Sequence, residues 1–147
     1  LSATDALRYA DHLDYLVAAI TALGSHEEYW SRRSEPLSKE LGLEHSKLDQ
    51  VLRGFPGIFR RVAVQSNNQD WFSLQKRYAM RPADFGKTKS ENIRPLTADE
   101  LNQILEFVFR AAQMETEATQ NKYTNRIAVG AAIVSALAAI IVAVVET

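Results

Sequence analysis

The sequence predicts a mainly α chain with a small β-hairpin, closed by a long C-terminal helix that continues into a single transmembrane span. Three observations carry this. Apolar residues recur at helical spacing through much of residues 7–55. Two runs rich in β-branched and aromatic residues, 58–64 and 71–78, flank a polar link. Residues 127–145 carry no charge.

The first helix is read from Leu7, Ala10, Leu13, Leu16, Val17, Ile20 and Leu23, which fall on one stripe. Ser2 to Asp5 offers its start and Gly24 its stop. A short second helix is expected through His26 to Arg33. The stretch PLSKELGL then places Pro36 at a helix start, with Leu37 and Leu41 inward. Gly42 supplies the turn, because a residue without Cβ takes positive φ cheaply. The next helix runs from about His45 to Arg53, with Leu48, Val51, Leu52 and then Phe55 on one face. Gly54 and Pro56 end it. IFRRVAV (58–64) and WFSLQKRY (71–78) are read as two strands joined by QSNNQD.

This order over residues 1–82 resembles a winged helix-turn-helix domain at the superfamily level. LSKELGL, KLDQVLRGFPGIF and WFSLQKRY carry the resemblance. It implies a binding surface. In DNA-binding members the last helix of the motif enters the major groove and the wing touches phosphate. The implied contacts are Ser46, Lys47, Gln50 and Arg53 on the helix, with Asp49 beside them. Arg60, Arg61, Lys76 and Arg77 follow in the hairpin and Arg81 just beyond it. Gln reads adenine and Arg reads guanine.

Charge pulls against a strong DNA binder. The chain has 17 basic and 18 acidic residues, a net of -1. Residues 1–43 hold four basic and seven acidic side chains, and residues 44–81 seven and three. Glu44 and Asp49 sit on the recognition helix, and the wing turn ends in Asp70 without a basic residue. Winged helices also dock proteins, so a nucleic acid and a protein partner stay open as equals. Acidic lipid headgroups are a third partner for the basic hairpin.

Residues 83–96 read as a linker. Thr97 and Glu100 form a capping box, and Leu96 with Leu101 fits the hydrophobic staple. Leu101, Ile104, Leu105, Val108 and Ala112 make one apolar face, and Phe107, Phe109 and Met114 broaden it. That face is expected to pack as an extra core helix, and otherwise to join protomers. Residues 97–126 form this helix and a polar stalk.

Residues 127–145 span about 28 Å as a helix, against roughly 30 Å of bilayer core. Lys122 and Arg126 precede the run and Glu146 and Thr147 follow it. The expectation is therefore a single-pass, tail-anchor-like membrane protein with its N-terminal domain in the cytoplasm. Ala131, Ser135, Ala139 and Ala143 recur every four residues, a spacing that lets helices associate into a homo-oligomer.

No cysteine is present, which excludes disulfides and thiolate metal sites. His12, His26 and His45 are scattered, and no zinc, nucleophile-elbow or P-loop pattern occurs. No cofactor, metal or catalytic residue is expected. The sequence thus reads as a membrane-anchored, non-enzymatic recognition module for a cytoplasmic nucleic acid or protein. The alternative is a membrane effector of a bacterial toxin or phage-defence type, whose span self-associates when the soluble domain is triggered. A third use is a structural tether.

Overall fold

A computed structural model describes residues 6–64, 69–87 and 92–145, with side chains described through residue 129. The chain divides into two units, residues 1–112 and 113–147.

In the first unit a 3-10 turn, Ala10–His12, leads into helix α1, Leu13–Ser25. Strand β1, Ser31–Arg33, follows, then helices α2, Ser34–Leu41, and α3, His45–Gly54. Strands β2, Phe59–Val64, and β3, Gln69–Leu74, come next, then a short helix α4, Gln75–Ala79. Helix α5 begins at Ala98 and runs to Val145.

The core grows from the apolar stripes. Leu16, Ala19, Ile20 and Leu23 of α1 meet Leu37 of α2 and Leu48, Val51 and Leu52 of α3. Phe59, Phe72 and Leu74 close it from the sheet, and Leu96 and Val108 from the later chain. Leu101, Ile104 and Leu105 pack against this cluster, so the start of α5 serves as a core helix. Gly42 ends α2 in the left-handed region, φ 65°, and its N–H donates to the Ser38 carbonyl. Residues with a Cβ pay a steric penalty there. The start of α5 is capped reciprocally. The Thr97 N–H donates to Glu100 Oε2 at 2.9 Å, and the Glu100 N–H to Thr97 Oγ1 at 3.3 Å.

The sheet has three antiparallel strands in the order β1-β3-β2. Three expectations about local structure change. His26 to Arg33 is no helix, and its last three residues pair with β3 as β1. The hairpin is therefore part of a three-stranded sheet. The run 71–78 is no single strand either, because it leaves the sheet at Leu74 and coils into α4. Arg77 explains that switch. Its side chain is fully buried and finds carbonyls at the end of α1 rather than solvent.

The membrane expectation is also corrected. Among the described residues no helix is long and apolar enough to cross a membrane. The transmembrane span, the tail anchor and the single-pass membrane location are therefore not supported. The side chains of residues 130–145, including Ala131, Ser135, Ala139 and Ala143, lie outside the described residues. In the second unit, residues 113–129 are helical and mostly exposed, held by local pairs such as Gln113 to Glu117 and Thr119 to the Glu115 carbonyl.

Candidate functional site

The residues expected to touch a ligand fall into three environments. On α3, Ser46 and Gln50 are exposed, and the Lys47 ammonium lies 4.6 Å from the Tyr15 ring centroid. Arg53 is engaged internally, meeting Asp49 at 2.5 Å and Asp70 at 2.5 Å. Arg61 meets the same Asp70 carboxylate at 2.8 Å. Two guanidinium groups and two carboxylates thus neutralise each other where phosphate was expected. Burial raises the Asp49 pKa, but hydrogen bonds from Arg53 and Ser34 outweigh it and hold the carboxyl below its ordinary value. The hydrogen bond that Arg53 donates to Asp49 likewise raises the Arg53 pKa.

Arg77 is a clear correction. It was expected to contact phosphate, yet it is fully buried. Its Nη2 donates to the His26 and Ile93 carbonyls, both at 2.7 Å, and its Nη1 to Leu23 at 2.8 Å. Nε donates to Ile93 and Arg94, both at 3.1 Å. Burial lowers its pKa. It is a positioning residue for residues 93–94, with no surface to offer.

The third environment is the open face of the sheet. Strand alternation sorts the side chains. Phe59, Phe72 and Leu74 point to the helices, which leaves Arg60, Val62 and Val64 of β2 on the other face with Trp71 of β3. Register places Val62 and Arg33 on either side of Trp71. The Arg33 guanidinium sits 6.0 Å from the Trp71 ring and bonds Gln69. A groove of about 770 Å³ opens here, lined by Tyr29, Trp30, Val62, Val64 and Trp71, with Glu28, Ser31 and Asn92 at its margin. Tyr29 is 50% exposed and Trp71 39%.

Beside the groove, Trp30, Tyr78 and Phe85 form an aromatic cluster with centroids 5.5–6.2 Å apart. Arg60 and Arg81 both lie on the Tyr78 ring, at 3.8 and 4.3 Å. Among the described residues neither is ion-paired. Lys76 lies apart, in a small groove with Ile58 and Phe107. Of the nine expected contacts, then, Arg60 and Arg81 are the two that lie on the aromatic cluster beside the groove. Sequence reasoning passed over Tyr29, Trp30 and Trp71. The available signal was phase: Trp71 alternates against Phe72 and Leu74, so a core Phe72 puts it outside.

The fold also gathers Ser34, His45 and Asp49, residues used in nucleophilic catalysis elsewhere. Here the Ser34 hydroxyl donates to Asp49 at 2.8 Å and lies 3.0 Å from His45 Nε2. The hydroxyl directs its proton to Asp49 rather than to the imidazole. A general base would have to accept from it instead. The arrangement ties the start of α2 to α3.

No family model, curated protein or solved structure matches the chain. The winged-helix resemblance therefore has no support from known proteins.

Proposed function

We propose that this chain is a non-enzymatic recognition module that docks a protein partner through the open face of its sheet. The groove lined by Tyr29, Trp30, Trp71, Val62 and Val64 carries this reading. Interface cores are enriched in Trp, Tyr and Arg, because large rigid rings bury much area at little entropic cost. Arg33 on the Trp71 ring, and Arg60 and Arg81 on the neighbouring Tyr78 ring, add guanidinium groups to this surface. Nucleic acid is the weaker reading, because Arg53 and Arg61 are held by Asp49 and Asp70 and Arg77 is buried.

Site-specific photocrosslinking tests it. A photoreactive residue replacing Val64 should capture a discrete protein in the cell of origin, and one replacing Gln50 on α3 should not. Capture from Gln50 alone, or of nucleic acid from both positions, would reject the reading. Trp71→Ala should weaken the captured complex at least 10-fold, as expected for a central interface anchor.

A further inference from the structure

We infer that the free edge of β2 receives an extended peptide as a fourth strand, with an acidic side chain opposite Arg60. This rests on the reading that the open face docks a protein, and it names the partner's chemistry.

The backbone parity of β2 fixes which groups are available. The Gln75 N–H donates to the Ile58 carbonyl at 2.9 Å, so residues 58 and 75 form a hydrogen-bonded pair. Such pairs alternate along an antiparallel ladder. With the observed register, Arg60, Val62 and Val64 turn their N–H and C=O groups toward β3. Arg61 and Ala63 therefore turn theirs outward. No hydrogen bond reaches those outward groups among the described residues, and both residues are exposed. Phe59 is outward too, but its N–H is already spent on the Phe55 carbonyl at 2.9 Å. An edge strand with a row of open donors and acceptors is a template for another strand.

Charge and alternation select the occupant. In a two-fold β2–β2 pair only one residue meets its own equivalent, and a second copy centred on Arg60 or on Arg61 would set like charges directly opposite, which is destabilising. An acidic residue opposite Arg60 meets a guanidinium that lies on the Tyr78 ring at 3.8 Å and makes no ion pair among the described residues. The next residues on the same face lie opposite Val62 and Val64 and continue the apolar groove. The partner pattern is acidic-x-apolar-x-apolar in an extended segment, read in either direction.

The test uses the full chain and fluorescent ten-residue peptides centred on Glu-Thr-Val-Thr-Val and on the reverse order, Val-Thr-Val-Thr-Glu, each with a counterpart carrying Lys for Glu, with anisotropy as the readout. In one of the two orders the Glu peptide should bind at least 10-fold tighter than its Lys counterpart. Ala63→Pro removes one outward N–H and leaves the β3 ladder intact, so it should lower affinity at least 10-fold while circular dichroism and the unfolding midpoint stay unchanged. Arg60→Glu should reverse the preference toward the Lys peptide, a gain that mere unfolding cannot produce. No binding of any of these peptides up to millimolar concentration overturns the inference. So does Ala63→Pro binding like the parent, or an oligothymidylate binding more tightly than the Glu peptide. If Trp71→Ala weakens the peptide and Ala63→Pro does not, the open face stands as a docking surface and the edge pairing is wrong. If Val64 crosslinking captures nothing while both variants behave as stated, the edge pairing stands and the face reading fails.

Discussion

Replacing Arg77 by Met should destabilise the first unit by about 3 kcal/mol. The side chain is fully buried, and its three nitrogens serve five backbone carbonyls. Met keeps the volume and removes every donor. Leu23 and Ile93 are themselves buried, so their carbonyls would be left without a partner. Each buried unsatisfied group costs about 1–3 kcal/mol. The carbonyls of His26, Tyr29 and Arg94 belong to exposed or half-buried residues, and water replaces the lost donor there. Relief from burying a cation offsets part of the cost. A loss of 3 kcal/mol corresponds to a fall in Tm of roughly 12 °C at about 4 °C per kcal/mol, the scale for a domain near 100 residues.

Urea unfolding followed by tryptophan fluorescence measures the change. Hydrogen exchange should localise it, because residues 92–96 are sewn to the end of α1 by three kinds of bond. Asn92 donates to the Glu27 carbonyl at 2.7 Å, Leu96 to Gly24 at 2.9 Å, and Arg77 bridges the two segments. Leu96 N–H should lose protection first in the variant. A change below about 1 kcal/mol, or unaltered exchange at Leu96, would refute the view that Arg77 organises this junction.

Further outcomes follow from the caps and the turn. The hydrogen bond from Arg94 and the backbone bond from Thr97 hold Glu100 down to about 2. A depressed carboxyl contributes stability that is full above its unfolded pKa and is lost as pH falls toward the folded value. Acid titration should therefore destabilise the parent between about pH 4 and 2, and Glu100→Gln should flatten that part of the profile. Thr97→Ala should cost about 1 kcal/mol in chemical denaturation, through loss of the cap. Gly42→Ala should cost about 1 kcal/mol, because φ is 65° there and open space leaves no compensating contact. Gly24→Ala should also destabilise, by about 1–3 kcal/mol, since a Cβ would come within 2.9 Å of Leu101 Cδ1.

Periodicity by itself determined α2, α3, the start of α5 and most of α1, which begins at Leu13 and leaves Leu7 outside the helix and Ala10 in a 3-10 turn. Leu16, Ile20 and Leu23 are spaced to share a face before any partner exists, and Gly42 and the Thr97–Glu100 pair are local devices. Local signals are legible because their partners lie within a few residues. The tertiary structure decided what depends on distant partners. Ser31 to Arg33 became a strand because β3 offered an edge, while Arg77 left the surface because α1 ended in open carbonyls. Arg53 and Arg61 turn their charge inward to Asp70, and residues 127–145 read as a span on apolar length and lack of charge. The aromatic face falls between the two. Strand phase places Trp71 opposite Phe72, yet only the β1-β3-β2 order brings Tyr29 and Trp30 beside it.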